Sequence, residues 1–460
     1  MTSTASTEPA SVAGLASAIR CAGCGHVADP GDPYPFRCPR AGTDDTDHVM
    51  TRVLDPGRVS FPRGDEDNPY ERYRGLMHSY HVARAHGLSD DGYRGLLGSL
   101  DAAVAAVDGH GFGVTPFGYR GDLSQALGFS RGGGVWVKNE TGNVSGSHKG
   151  RHLMGVLVHL SVMEQCGILD PADRRELAIA SCGNAALAAA VVARAGRWRL
   201  TVFVPPDANP VVVRRLRDLE ADVVVCAREP GTLGDPAYLR LRERLAAGAL
   251  PFTTQGNENG LTIEGGETLG YELVSQLAGG VTGGLDHLII QVGGGALASS
   301  CVQALREAAE LGALDRLPRI HTVQTFGAYP LERAYGRVRA LLPDEPGQDE
   351  IRQAMAKAAA HRAEFMQPWE EEPKSVATGI LDDETYDWRA VVEGMLLTGG
   401  RPLVVSEDLL VEANQLGVAK TGIRVDPTGS SGLAGLLQMR RSGAIGAGDR
   451  VAVLFTGIQR

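Results

Sequence analysis

From about residue 130 the sequence alternates short apolar runs with amphipathic stretches, a rhythm that commits a chain to an α/β fold built on parallel-rich sheets. VWVK (Val135 to Lys138) is a strand by this pattern. Leu153, Val156, Leu157 and Leu160 then fall at i, i+3, i+4 and i+7, which places one apolar face on a helix starting near Lys149. ELAIAS ends a strand at Ser181, and an alanine-rich helix follows from Ala185 to Ala195. Next come the strand LTVFVP, a helix through Val212, Leu216 and Leu219, and the strand ADVVVCA ending near Ala227. A second series opens with HLIIQV (His287 to Val292), passes through three glycines into a helix carrying Leu297, Cys301, Leu305 and Ala308 on one side, and closes with RVAVLF. PDEPGQDE (Pro343 to Glu350) is expected as a surface loop, PWEEEPKSVATGILDDETYDW as irregular chain, and the first ten or so residues as low-complexity sequence.

Glycine supports the same class: 60 of 460 residues is about 13% against a usual ~7%, clustered at strand ends. No run of ~18 apolar residues is present to span a bilayer. With 45 basic and 55 acidic side chains the net charge is −10, which repels nucleic acid and anionic membranes. The first twenty residues lack the basic start and long apolar run of a secretory signal, so the cytoplasm is the expected compartment.

Three of the seven cysteines, Cys21, Cys24 and Cys38, stand together in CAGCGHVADPGDPYPFRCPR. A C-x2-C pair followed by CP is how many zinc knuckles begin. Ala41 occupies the place where a second C-x2-C would end, so a closed tetrahedral site needs His26, His48 or Asp47 to complete it. A zinc site and a metal-free ribbon both fit the pattern.

The chemistry concentrates in KNETGNVSGSHKGRH (Lys138 to His152), where a strand ends, a polar glycine-rich turn follows and Lys149 opens a helix. A lysine at a helix N-terminus is opposed by the positive end of the dipole; with desolvation, this lowers its pKa toward the neutral amine that a Schiff base requires. The segment is no phosphate-binding P-loop, because the G-K-[ST] ending is missing and His148 stands where its last glycine would be. At SCGNAA (Ser181 to Ala186) backbone N–H groups and the Asn184 amide can face a ligand. Gly293, Gly294 and Gly295 let backbone approach closely and form an anion cradle at the next helix, without the G-x-G-x-x-G spacing of a dinucleotide site.

Taken in order, Thr115 and Pro116, KNETGNVSGSHKGR, SCGNAA, FVP before a helix, NGLTIEGGETLGYEL, VGGGAL, DPTGSSGLAGL and VLFTG resemble the fold type II family of pyridoxal-phosphate enzymes, and within it the threonine synthase group. The resemblance covers most of residues 110–460, and the early CxxCG with a later CP is similar to the ribbon preceding the catalytic region in some threonine synthases. It implies a tryptophan synthase beta-like architecture: an N-terminal extension with a Cys ribbon over 1–52, a large cofactor-binding domain over 53–150 and 256–460, and a small α/β domain over 151–255. It implies a homodimer acting on a small amino acid. Lys149 would form the Schiff base with pyridoxal 5'-phosphate and move protons. Asn184 would bond the cofactor's phenolic oxygen, and Gly293, Gly294, Gly295 and Ala296 would hold its phosphate. His148 would lie near that phosphate or shield the lysine bond, and Ser181 and Gly183 would meet the substrate carboxylate. Thr456 matches the position whose hydroxyl touches the pyridine nitrogen, with Thr428, Ser430 and Ser431 as rival donors. A neutral hydroxyl there makes a shallower electron sink than an aspartate and favours elimination.

Departures from the family pattern bear on substrate. Gly150 and Arg151 follow the lysine where most threonine synthases have Asp-Arg, and His148 replaces an aromatic residue. The family's stretch beyond the terminal threonine-glycine is not seen before Arg460. Thr262 and Glu267 stand where basic residues are usual, leaving Arg151 and His152 as the only cations expected near the leaving group. Elimination or replacement at a hydroxy-amino acid is therefore the first reading, with a true threonine synthase using O-phosphohomoserine and a catalytically silent cofactor-binding protein as alternatives. Residues 375–388, with Tyr386 and Trp388, are expected either to cover the cleft or to pack on the sheet.

Overall fold

The computed structural model describes residues 14–228, 235–278 and 284–460, so the low-complexity start lies outside the described residues. Two sheets carry the expected rhythm. The larger has six strands in the order Pro402–Val405, Arg319–Thr325, His287–Gln291, Arg450–Phe455, Gly134–Asn139 and Phe117–Tyr119. All neighbours are parallel except the last pair, where Phe117 faces Lys138 in an antiparallel edge. The smaller sheet is wholly parallel, in the order Asp222–Val225, Leu200–Val204, Leu177–Ala180 and Leu250–Pro251.

Strands such as His287–Gln291 and Leu200–Val204 are buried at every residue, as expected where helices cover both faces of a parallel sheet. Because Gly134–Asn139, His287–Gln291 and Arg450–Phe455 run parallel, their carboxyl ends open on one edge. Glu140, Val292 and Thr456 emerge there, the side on which open α/β sheets bind ligands.

Helix Lys149–Gln165 corrects the expected single apolar face: every residue from Gly150 to Met163 is buried, so it is a central helix. It crosses helix Leu261–Ala278 at Gly155 and Gly265, where a Cβ on Gly155 would lie 2.6 Å from the Gly265 Cα. PDEPGQDE is a loop only in part, since helix Gln348–Ala360 begins inside it and the Glu350 carboxylate accepts from the Gly347 N–H at 2.8 Å. Residues 375–388 split: Trp388 is fully buried and opens helix Trp388–Thr398, whereas the chain before it holds a single short turn at Thr378–Ile380. A separate antiparallel pair, Ser17–Cys21 with Met50–Leu54, forms the N-terminal ribbon. Among the described residues, no helix is long and apolar enough to cross a membrane.

Candidate active site

The chain has five lysines. Lys357, Lys374 and Lys420 are exposed, and Lys138 is fully buried with its ammonium saturated by Glu272 (2.5 Å), the Thr115 carbonyl (2.8 Å) and Gln276 (2.8 Å). Lys149 differs. It keeps partial solvent access at the first position of its helix, and its Nζ donates to Thr254 Oγ1 at 3.2 Å. Burial lowers its pKa from the usual lysine range, opposed by the carboxylates of Asp382 and Asp387. Burial in turn raises Asp382 to about 6 and Asp387 to about 7, the nearby lysine holding both down.

These aspartates arrive on the chain that closes over the glycine turn. Asp382 accepts from the Gly294 N–H, Thr385 Oγ1 donates to the Gly293 carbonyl at 2.9 Å, and the Asp387 N–H donates to the Gly294 carbonyl at 3.0 Å. The turn has to be glycine for steric reasons. A Cβ on Gly293 would lie 2.3 Å from Asp382 Oδ2, one on Gly294 2.9 Å from the Tyr386 ring, and Gly295 has φ +100°. Tyr386 therefore lies against the turn, while Trp388 packs in the core.

Gln291, at the end of its strand, directs the two hydrogens of Nε2 at three acceptors, chiefly Thr456 Oγ1 (2.7 Å) and the Gly429 carbonyl (2.8 Å), with the Leu454 carbonyl (3.2 Å) sharing one of them. The two carbonyls fix the amide orientation, so the Thr456 hydroxyl is an acceptor from Gln291 and keeps its own hydrogen for another partner. Ser430 and Ser431 instead bond carbonyls of their own turn, and Thr428 accepts from the Gly379 N–H at 3.0 Å. His148 is buried, its ring nitrogen 3.3 Å from the Thr456 carbonyl and its ring edge-on to His152; burial keeps it neutral, well below the usual histidine range. Asn184 opens helix Asn184–Ala195 at the end of strand Leu177–Ala180, bonded to the Arg460 guanidinium and to Asp426, and the Gly183 N–H faces Ser181 Oγ at 3.4 Å. Ala296 begins the helix after the glycines.

The two cations expected near the leaving group, Arg151 and His152, are corrected, since burial also holds His152 neutral. Arg151 does not face the cleft: it is fully buried, bonded to Glu140, Glu272, Thr115 and Thr268. Glu267 does not face it either, being paired with Arg52 and Tyr271 in a second buried cluster that includes Glu307. His152 and Thr262 meet each other, ring nitrogen to carbonyl at 2.8 Å. Sequence reasoning missed Thr254, Asp382, Asp387 and Gln291. At the ribbon, Cys21, Cys24 and Cys38 do come together, and His48 joins them.

The donors suit a phosphorylated cofactor, and the fit rests on a feature of the molecule itself: the glycine turn already seats an anionic oxygen, that of Asp382, on the Gly294 N–H. Two parallel-rich sheets, one partly accessible lysine and an anion-binding turn define a class of α/β enzymes that hold a phosphorylated cofactor through lysine. The chain belongs to the pyridoxal-phosphate dependent enzyme family, whose pattern matches residues 110–457. It is similar to threonine synthase of Methanocaldococcus jannaschii, 26% identical over 346 residues covering 75% of this chain and 74% of that one. Threonine synthase of Mycobacterium tuberculosis is 25% identical over 75% of this chain and 81% of its own. In fold it resembles the processed form of threonine deaminase isoform 2 from Solanum lycopersicum, with a TM-score of 0.56, 17% identity, and coverage of 81% and 91%.

Proposed function

We propose that this enzyme eliminates or replaces a side-chain substituent of a small hydroxy-amino acid. The observation that carries the reading is the placement of Lys149, the one lysine neither exposed nor saturated, beside a turn that binds an anionic oxygen. Pyridoxal phosphate, when bound, supplies an electron sink that acidifies the substrate's α-hydrogen. The chain's own residues do the rest. Lys149, its pKa lowered by burial, would take the proton from the α-carbon as a neutral amine and, now an ammonium, deliver that proton to the departing hydroxyl. The N–H groups of Gly293, Gly294, Gly295 and Ala296 hold the phosphate, Thr456 offers its hydroxyl hydrogen to the ring nitrogen, Asn184 orients the ring oxygen, and His148 closes the lysine side. Ser181 and Gly183 hold the substrate carboxylate. The division into a large domain over 53–150 and 256–460 and a small one over 151–255 puts this cleft between them. We place the enzyme in the cytoplasm as a homodimer, a state that light scattering on the purified protein checks.

The similarity to threonine synthases supports a second reading, with O-phosphohomoserine as substrate. Asp382 and Asp387 beside Lys149 argue against it, because a leaving group carrying about two negative charges would depart toward carboxylates. Uncharged hydroxy-amino acids are therefore the preferred class. Two assays test this. Lys149→Ala should lose the visible absorbance of lysine-bound cofactor, and its persistence would remove Lys149 from the site. Keto-acid release from serine- and threonine-like substrates is expected, whereas efficient threonine formation from O-phosphohomoserine would establish the second reading, and no turnover of any substrate would leave a cofactor-binding protein.

A further inference from the structure

We infer that Cys21, Cys24, Cys38 and His48 form a tetrahedral zinc site whose task is to hold the segments that face Lys149. The four ligand atoms lie within 4.8 Å of one another. Two thiolates at ~2.3 Å from a tetrahedral zinc stand about 3.8 Å apart, and a thiolate and an imidazole nitrogen about 3.6 Å apart. Cys24 and Cys38 have their sulfurs at 3.7 Å, and Cys21 Sγ lies 3.5 Å from His48 Nδ1. A second observation concerns the far side of the ring: His48 Nε2 is 3.0 Å from Asp44 Oδ1. That bond puts the ring hydrogen on Nε2 and leaves the Nδ1 lone pair aimed at the thiols, the carboxylate–histidine–metal arrangement that fixes ligand tautomer and orientation. Of the other candidates, Asp47 is engaged by Arg362 at 3.2 Å, and His26 is outside the cluster. Three thiolates and one imidazole suit zinc above the hard cations.

The ligands are spliced into the walls of the cleft. Around Cys38, the Phe36 carbonyl accepts from the Gly260 N–H at 2.8 Å, on the stretch that begins with Thr254. Around His48, Asp47 N–H bonds the Ala359 carbonyl (2.8 Å) and Arg362 N–H bonds the Asp45 carbonyl (2.9 Å). Arg362 then bridges Asp47 to Glu384, between Asp382 and Asp387. The metal thus ties the segment that bonds the Lys149 ammonium through Thr254 to the one whose carboxylates Asp382 and Asp387 act on it electrostatically, a positioning role that rests on the proposed catalytic site, although the metal site itself does not.

Metal analysis of the purified holoenzyme should find about one zinc per chain, and the cobalt-exchanged protein should show visible bands with thiolate charge transfer. Cys24→Ser and His48→Ala should lose the metal. His48→Cys, which restores a fourth soft ligand, should keep it, as should Cys166→Ser elsewhere. Less than about a tenth of a zinc per chain with no cobalt bands, or a mass two hydrogens light from a Cys24–Cys38 disulfide, would overturn the site. For the positioning role, zinc removal by a strong chelator should weaken pyridoxal phosphate binding several-fold and lower Tm. Retained metal loss with unchanged cofactor affinity would overturn the brace while leaving the metal site standing.

Discussion

Asp387 sits at the foot of the glycine turn, 3% exposed, its carboxylate facing the Gly256 N–H at 3.4 Å. Its folded pKa of about 7 lies above the unfolded value, so between about pH 4 and 7 the folded state keeps a proton the unfolded chain has lost, and stability falls as pH rises through that window. Asp387→Asn keeps the acceptor without the charge. It should stabilise the protein by on the order of 2 kcal/mol at pH 8 and by nothing measurable at pH 4; thermal melts at both pH values check this, and an equal effect at both would contradict it. Asp382 makes a different prediction, because it occupies the N–H that a phosphate needs. Asp382→Asn should tighten pyridoxal phosphate binding about fivefold, the size of a ~1 kcal/mol like-charge term, measured by fluorescence titration of the cofactor-free protein. Lys149 was legible in the sequence because its turn and helix are local. Asp382 and Asp387 were not: nothing local in an irregular acidic stretch says which strand end it folds over. Arg151 was misplaced for the same reason, since only its partners Glu140 and Glu272 show that its charge turns inward.

Helix Lys149–Gln165 places Lys149 and Arg151 two residues apart, one toward the cleft and one into the interior. In that interior two cations, Arg151 and Lys138, balance two carboxylates, Glu140 and Glu272, all without solvent exposure. The network is satisfied only as a whole. Arg151→Met should destabilise the fold by about 3–5 kcal/mol, since it strands carboxylates in the interior; denaturant unfolding measures it, and a loss under about 1 kcal/mol would show that water reaches the cluster. The crossing at Gly155 and Gly265 is equally tight, a Cβ on Gly265 falling 2.3 Å from the Arg151 carbonyl. The helix's existence and start were legible from its period, but its full burial was not, because Arg151, His152 and His159 look solvent-bound until their partners are known. Helix Glu407–Thr421 carries its charges without a strong period, whereas Pro330–Arg339 and Gln348–Ala360 do hold apolar stripes, Leu331, Ala334 and Val338 in one and Ile351, Ala354, Met355 and Ala358 in the other, that their surrounding charges obscured.

Across the whole molecule, buried titratable groups pull stability in opposite directions. Seven of twelve histidines are held neutral, all chiefly by burial: His78, His152 and His321 near 3, His81 and His159 near 4, with His148 and His287 also lowered. For each, the unfolded chain binds a proton below about pH 6.5 that the folded state refuses, costing up to about 1.4 kcal/mol per pH unit and site as pH falls. Burial acts oppositely on carboxylates. Asp382 near 6, Asp387 near 7, Glu264 near 7 and Glu267 near 8 keep protons the unfolded chain has lost, so they cost stability as pH rises toward 8. The parallel two-sheet plan was legible from the strand rhythm, but this balance was not, because each shift comes from packing between segments far apart in sequence. Stability should therefore peak at about pH 7. The acid side should be the steeper, since the seven imidazoles outnumber these four carboxylates, which are by then mostly protonated. Tm measured from pH 4 to 9 should fall sharply below about pH 5.5, with an uptake of at least about three protons on unfolding. A Tm flat down to pH 4.5 would mean that these histidines accept protons without leaving the fold.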